Sequence, residues 1–290
     1  MATKVQNVGP EAFEDIYPLL SRLPTRTMSK QDWRWLLFEY PWAPGPPRGW
    51  ALCVDGRAVG FIGAVFSARP LLGRVEKFCN LACWIVLEEY RYASALLLRP
   101  ALALKDHTIL SLTLSPAAYK VSFTLGLRPL ESEQLVLPPI PRPAEALRAL
   151  RGSFTLEPEE IRAELTGGER TLYEDMARSP VARHVLLRGG GRQCYLVATP
   201  CHKWGVPYAD VQYLGNREFF WEHRILAQAA LICAMGIAGL AVAVDRRFLL
   251  GRPPPLARRM NMLRLYRPAR DDITPMMIDG LYSELMGLRQ

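Results

Sequence analysis

The sequence has little lysine and little cysteine for its 290 residues. Six of its 36 basic residues are lysines, so the net charge of +8 is carried mainly by arginine. The planar arginine fork suits phosphate and carboxylate groups, and this composition therefore favours an anionic ligand without choosing one. Six cysteines are too sparse for a disulfide-stapled mini-domain, and most lie among apolar residues, which is typical of buried reduced thiols.

Targeting segments and common catalytic signatures are also missing. Residues 1–14 include no apolar stretch of the kind that a signal peptide needs, so a cytoplasmic location is expected. No Gly-x-Ser-x-Gly, Walker or His-Glu-x-x-His motif occurs, and the Cys and His spacing fits no common zinc site, so no metal is expected. The arginines of residues 246–259 come without a groove-reading motif, so nucleic acid is not an expected partner.

A long apolar run covers residues 225–244 and has the length of a membrane span. Gly236 and Gly239 divide it into an Ala/Leu-rich half and a strand-like half that ends at Asp245. A helix, a glycine stop and an apolar strand are typical of an α/β unit. Stable membrane insertion is therefore not expected.

Length and composition indicate two packed domains. Half of the residues are apolar and 22% are charged, which excludes a mainly disordered chain. At roughly 150 residues per domain, the length corresponds to two domains. The Pro-rich stretch after Leu137 predicts a joint over 139–157, between an N-terminal domain 1–138 and a C-terminal domain 158–290.

Both halves show the same order of predicted elements: two helices, a hairpin, a strand, a helix and a strand. The first half is marked by an Asp55-Gly56 hairpin turn and a long strand over 75–86. The second half has a glycine-rich turn over 189–192 and a strand over 238–244. The shared order predicts two α/β domains of one type.

Two motifs of the first half resemble those of the GNAT superfamily of acyl-CoA-dependent N-acyltransferases. Trp84-Ile-Val-Leu-Glu-Glu-Tyr-Arg91 is similar to its strand-to-helix signature, and Leu125-Gly-Leu-Arg128 is similar to its Leu-Gly-Phe-Arg signature. The resemblance covers about residues 3–138, and the second half looks like a diverged copy. It implies two GNAT-like α/β domains, each a mixed, mostly antiparallel sheet flanked by helices, as in tandem-GNAT bacterial proteins.

The resemblance implies that acetyl-CoA or another acyl-CoA is a co-substrate of the N-terminal domain. A helix N-terminus has unpaired N–H groups that hold a pyrophosphate. The implied acyl-CoA residues are Trp84, Ile85 and Val86 along the pantetheine, Arg91, Tyr92, Ala93, Ser94, Ala95 and Leu96 at the phosphates, and Ser115 at the next helix. Ser94 and Leu96 stand where the family pattern has Gly or Ala.

Acyl transfer to an amine needs a base for the ammonium proton and an acid for the leaving thiolate. We expect Glu76 to be the base and Asn80 to orient the acceptor or a water. The family's usual tyrosine acid falls on Ser122, so Tyr119, one helical turn earlier, is the substitute. The structural alternatives are an exposed strand-edge Glu76 and an Asn80 at a bulge.

The preferred interpretation is an acyl-CoA-dependent N-acyltransferase with a small-molecule amine acceptor. The resemblance implies an amino sugar used in surface polysaccharide synthesis. The aromatic residues that either stack on such a sugar or hold down a loop are Trp33, Trp35, Phe38, Tyr40 and Trp42. The alternative is a catalytically degenerate GNAT-fold binding protein, because Ser94, Leu96 and Ser122 depart from the pattern. Acyl chain length and assembly, including a homodimer, stay open.

Overall fold

The structure, a computed structural model, describes residues 3–25, 28–42, 47–131, 133–138, 140–203, 206–236, 241–251 and 256–288. They form two compact units. Unit 1 consists of Met1–Leu130, Leu263–Ile278 and Tyr282–Leu288, and unit 2 includes Glu131–Met262 and Asp279–Leu281.

The described residues form strands, α-helices and 3₁₀ helices. The strands are β1 (Lys4–Val8), β2 (Gly49–Val54), β3 (Arg57–Leu71), β4 (Arg74–Val86), β5 (His107–Ser111), β6 (Arg128–Pro129), β7 (Glu133–Leu137), β8 (Ser153–Thr155), β9 (Arg183–Gly189), β10 (Arg192–Lys203), β11 (Val206–Leu214), β12 (Ala241–Asp245), β13 (Arg258–Asn261) and β14 (Leu265–Arg267). The α-helices are α1 (Phe13–Leu20), α2 (Lys30–Leu37), α3 (Arg99–Ala103), α4 (Pro116–Thr124), α5 (Pro143–Ala149), α6 (Pro158–Glu164), α7 (Gly167–Met176), α8 (Arg217–Glu222) and α9 (Arg224–Met235). The 3₁₀ helices are Pro10–Ala12, Glu88–Leu98, Arg246–Leu249, Pro275–Met277 and Glu284–Met286.

Each unit is built on a seven-stranded mixed sheet with helices packed on it. The order in unit 1 is β1-β2-β3-β4-β5-β14-β6, in which β4 and β5 are parallel and the other neighbours antiparallel. Unit 2 has the order β8-β9-β10-β11-β12-β7-β13, with β11 and β12 parallel. The two sheets therefore repeat one topology, and the predicted fold class is confirmed.

Each sheet takes one strand from a distant part of the sequence. β7 lies between β12 and β13 of unit 2, and β14 lies between β5 and β6 of unit 1. The division therefore falls after Leu130 instead of at 138/139, and α5 and β8 lie within the expected joint. Leu137 is buried in the core of unit 2 and Leu265 in the core of unit 1. Periodicity marks such residues as strands but does not say which sheet receives them.

Local signals predicted several elements correctly. Ser29 caps α2 in a reciprocal capping box with Asp32, and Asp55-Gly56 forms the β2–β3 turn with φ of 49° and 80°. α9 has 12 residues and ends at Gly236 in the left-handed conformation. In the described part of the chain, no helix has the length and apolarity needed to cross a membrane. Residues 238–240 of the expected strand lie outside the described residues.

The two faces of the unit 1 sheet pack against different helices. On one face, Ala82 of β4 lies in a core cluster with Phe13 of α1 and Trp33 of α2. On the other face, Cys79 and Leu81 lie in a cluster with residues of the 3₁₀ helix Glu88–Leu98 and of α3. Alternation of side chains along β4 therefore places neighbouring residues of one strand in two separate environments.

Candidate active site

Strands β4 and β5 separate in the middle of the unit 1 sheet. They pair through four residues of each, from Lys77 with His107 to Asn80 with Leu110. β4 then continues to Val86 along β3, and among the described residues this part of β4 has no strand partner on its β5 side. Phe78–Ala82 are buried, whereas each residue of Cys83–Val86 is half-buried. An apolar strand end thus borders an opening in the sheet.

A β-bulge lies at the start of this open part of β4. The β3–β4 register places Gly63 opposite Ala82 and Phe61 opposite Ile85, so two residues of β4 face one of β3. Cys83 takes a φ of 55°, which is uncommon for a residue with a side chain. The bulge turns Cys83 and Ile85 to the α1–α2 face and Trp84 to the opposite face.

Three elements contribute half-buried apolar side chains to the face that Trp84 occupies. Trp84 of β4, Leu96 of the 3₁₀ helix and Tyr119 of α4 pack against the same core cluster. Tyr119 also stacks parallel to Phe123, with 6.2 Å between ring centroids. Three residues that the sequence singled out therefore pack on the same face of the sheet.

The predicted phosphate loop has a different local structure from the expected one. Glu88–Leu98 is a 3₁₀ helix, in which the N–H of each residue donates to the carbonyl three residues earlier. The amides from Tyr92 to Leu96 are therefore engaged within the helix. Arg91 and Tyr92 are exposed, and the Arg91 guanidinium lies 3.6 Å from Glu88. Ser115 caps α4 by accepting from the Ala118 N–H.

Glu76 lies away from the opening. Its carboxylate is buried, 2.5 Å from Arg74 Nε and 3.5 Å from Arg270 Nη1. Arg74 and Arg270 also pair with Asp272. Glu76 and Asn80 share a face of β4 but lie four residues apart, about 13 Å at the rise of a strand. Two guanidinium groups hold the Glu76 carboxylate away from the opening, and this environment favours a structural Glu76.

Asn80, by contrast, meets a carboxylate that sequence reasoning missed. Its side-chain N–H donates to one oxygen of Glu284, and the Thr113 hydroxyl donates to the other at 2.6 Å. Asn80 and Glu284 are fully buried, whereas Thr113 is exposed. Burial raises the pKa of the Glu284 carboxyl, and the two hydrogen bonds oppose that shift. Glu284 is 204 residues from Asn80, so no local signal pointed to the pair.

The aromatic residues after α1 are mainly core residues. Trp33, Phe38 and Tyr40 are buried, and the Tyr40 hydroxyl accepts from the Phe66 N–H. Trp35 and Trp42 are partly buried and pack edge to face, with 5.8 Å between ring centroids. Most of these rings therefore pack in the core, as expected if they hold down the loop.

Unit 2 has an equivalent separation, and a residue outside its strands is hydrogen-bonded to β11 just after the pairing ends. β11 pairs with β12 as far as Asp210 with Ala243, and a bulge follows at Gln212. The Gly280 N–H donates to the Gln212 carbonyl at 2.9 Å. A backbone group next to the separation is thus already paired.

Comparisons with known proteins show which of them share this architecture. No protein-family model matches the sequence, and no curated protein is similar to it in sequence. A GCN5-related N-acetyltransferase from Anabaena variabilis matches 93% of this chain and 73% of its own, with 11% identity and a TM-score of 0.58. A GCN5-related glucosamine N-acetyltransferase region of a fungal multi-domain β-N-acetylglucosaminidase matches 91% of this chain and 38% of its own, with 12% identity and a TM-score of 0.60. Saccharomyces cerevisiae N-myristoyltransferase with bound myristoyl-CoA matches 91% and 83%, with 11% identity and a TM-score of 0.50.

At these identities the likeness establishes the fold. The chain has the fold of the GCN5-related N-acetyltransferases, and the resemblance seen in the sequence motifs is confirmed at that level.

Proposed function

We propose that this protein is an acyl-CoA-dependent N-acyltransferase that binds the thioester in unit 1. The observation that carries the proposal is the opening beside Cys83–Val86, where an apolar strand end has no β5 partner among the described residues. An extended amide chain such as pantetheine pairs with an open strand edge as an added strand does.

The residues that would hold acyl-CoA lie around this opening. Trp84, Ile85 and Val86 would flank the pantetheine arm, since each is half-buried in apolar surroundings. Arg91 would bind the diphosphate through its guanidinium, whose side chain is 69% exposed. Because the amides of residues 92–96 are engaged in the 3₁₀ helix, we assign the Arg91 side chain the main phosphate contact.

The acceptor in this proposal is a small amine, and we favour an amino sugar. Support comes from the half-buried Trp35 and Trp42, whose rings offer apolar faces of the kind that stack on a sugar. The glucosamine N-acetyltransferase region with the same fold is consistent with that choice. A role in surface polysaccharide synthesis is the biological setting that we expect for such an acceptor.

Acyl-CoA binding is tested by calorimetry and thermal unfolding with acetyl-CoA and myristoyl-CoA. A ligand at 100 times its Kd should raise the free energy of unfolding by about 2.7 kcal/mol. Arg91→Ala should weaken acetyl-CoA binding about tenfold, since it removes charged hydrogen bonds to phosphate. Arg99→Ala, on an exposed arginine just after the same 3₁₀ helix, is the matched control and should leave binding unchanged.

Absence of acyl-CoA binding would favour the alternative, a binding protein that has lost catalysis. The departures at Ser94 and Leu96 and the engaged helix amides are the features that favour it. Absence of any thermal shift with either thioester, together with equal behaviour of Arg91→Ala and Arg99→Ala, would contradict the enzyme proposal.

A further inference from the structure

We infer that Glu284 is the proton acceptor of the transfer step and that the Thr113 hydroxyl links it to the substrate amine. The inference deepens the proposed function and rests on it. Its basis is the cluster of Asn80, Thr113 and Glu284, which lies where β4 and β5 begin to separate.

The hydrogen bonds of Glu284 suit a group that takes up and gives back a proton. The Asn80 amide N–H donates to one carboxyl oxygen, and the Thr113 hydroxyl lies at hydrogen-bond distance from the other. A hydroxyl donates to a carboxylate and accepts from a protonated acid, so Thr113 can partner both forms of Glu284. The ionised form is the one that receives the proton.

The cluster also holds an unused acceptor. The side-chain oxygen Oδ1 of Asn80 is buried and has no hydrogen-bond partner in the described part of the protein. A buried amide oxygen without a partner costs free energy, and an N–H donor would relieve that cost. A substrate ammonium group meets this need, because it can donate to Asn80 Oδ1 and to Thr113 Oγ1 together.

Thr113 gives the buried carboxylate a route to the outside. It lies two residues after the end of β5 and is exposed, whereas Glu284 has no exposed surface. The ammonium group passes a proton to Thr113 Oγ1 while the Thr113 proton moves to Glu284 Oε1. The freed nitrogen lone pair attacks the thioester carbonyl carbon, the C–N bond forms and the C–S bond breaks. The second amine proton goes to the leaving thiolate, and Glu284 then releases its proton to solvent.

Two charged or titratable groups besides the acyl acceptor influence Glu284. Cys83 of β4 interacts electrostatically with it, and Arg264, just before β14, favours its ionised form. Burial outweighs these influences and raises the pKa of Glu284, so the carboxylate forms at a higher pH than for an exposed glutamate. The rate should therefore rise with pH as Glu284 loses its proton, and then level off.

The test compares Glu284→Gln and Thr113→Val with matched controls. Glucosamine, spermidine and a tripeptide with a free α-amine are the amine probes, acetyl-CoA is the acyl donor, and acetyl-CoA hydrolysis is followed in parallel. Both variants should lower kcat about 100-fold, the usual contribution of a general base. Thr113→Ser keeps the hydroxyl and should retain activity. Glu39→Gln, on an exposed glutamate of unit 1, should behave as the wild type.

Two readouts separate a chemical role from a structural one. Calorimetry with acetyl-CoA should give the same Kd for all variants. The rising limb of the pH–rate profile should disappear in Glu284→Gln. In the wild type, the pKa of that limb should equal the pKa at which the infrared C=O band of the protonated Glu284 carboxyl disappears. Glu284→Gln should lack this band.

Three other outcomes of these experiments would each contradict a specific claim. A wild type that fails to bind acetyl-CoA would contradict the proposed function itself. Binding of acetyl-CoA without turnover of any amine or of water would contradict the acyltransferase activity and, with it, the role of Glu284. A variant that melts earlier but keeps the wild-type rate and pH profile would show that Glu284 is structural.

Discussion

At the scale of single residues, both units bury an amide against a carboxylate, Asn80 with Glu284 in unit 1 and Gln134 with Asp210 in unit 2. Unit 2 also has a half-buried histidine, His184, that packs against aromatic rings. The His184 ring nitrogen Nδ1 lies 2.8 Å from the Tyr195 hydroxyl, and the two rings are parallel. Tyr173 packs edge-on to His184 with 5.0 Å between ring centroids. Such surroundings suit a neutral imidazole, so His184 is a structural histidine.

This environment makes the stability of unit 2 depend on pH. Burial lowers the pKa of His184 to about 4 from 6.5. The unfolded chain binds the proton more tightly, so stability is complete above pH 6.5 and is lost as pH falls towards 4. The loss should be on the order of 3 kcal/mol. Urea unfolding at several pH values should show this fall in the wild type and a smaller one in His184→Gln. Equal pH dependence in both proteins would contradict the assignment.

At the scale of elements, β14 completes the unit 1 sheet although it has three residues. It pairs with β5 on one side and β6 on the other. The strands next to the opening therefore depend on a segment more than 150 residues away along the chain, as the pairing of Leu265 with Ser111 shows.

Leu265→Ala should therefore destabilise unit 1. Leu265 is completely buried, and removing such a side chain costs about 2–5 kcal/mol. Leu256→Ala, on a leucine that is 74% exposed, is the control and should change stability little. Hydrogen exchange should show faster exchange of the β5 amides in Leu265→Ala. Unchanged exchange in β5 would mean that β14 does not support this sheet.

The sequence predicted those elements whose signals are local. Ser29 before α2 and Asp55-Gly56 between β2 and β3 act through their own neighbours, so the pattern was sufficient. β14 was not predicted, because three residues carry no clear period and the pairing partners are distant. Glu284 was missed for the same reason, since its partners Asn80 and Thr113 come from the first half of the chain. The 3₁₀ form of Glu88–Leu98 has no signal in hydrophobic spacing alone.

At the scale of the whole molecule, one topology is used twice with different outcomes. In unit 1 the open edge of β4 borders half-buried apolar side chains. In unit 2 the Gly280 N–H pairs with Gln212 at the corresponding separation. An added side chain at Gly280 would contact Gln212 Oε1 at 2.0 Å, so glycine permits this close approach. Repetition of the fold therefore does not imply repetition of the ligand site.

We accordingly expect one acetyl-CoA per chain. Calorimetric titration should give a single binding event with a stoichiometry of one, which Arg91→Ala weakens. Two equivalent binding events per chain would contradict the proposal that the thioester binds in unit 1 alone.

Hydrogen exchange of the protein with and without acetyl-CoA tests the central claim most directly. If the opening in unit 1 holds the thioester, the ligand should slow exchange of the backbone amides of Cys83–Val86 in β4 and leave those of Val211–Leu214 in β11 unchanged. Unchanged exchange in β4 at saturating ligand, or slowing in β11 instead, would contradict the account.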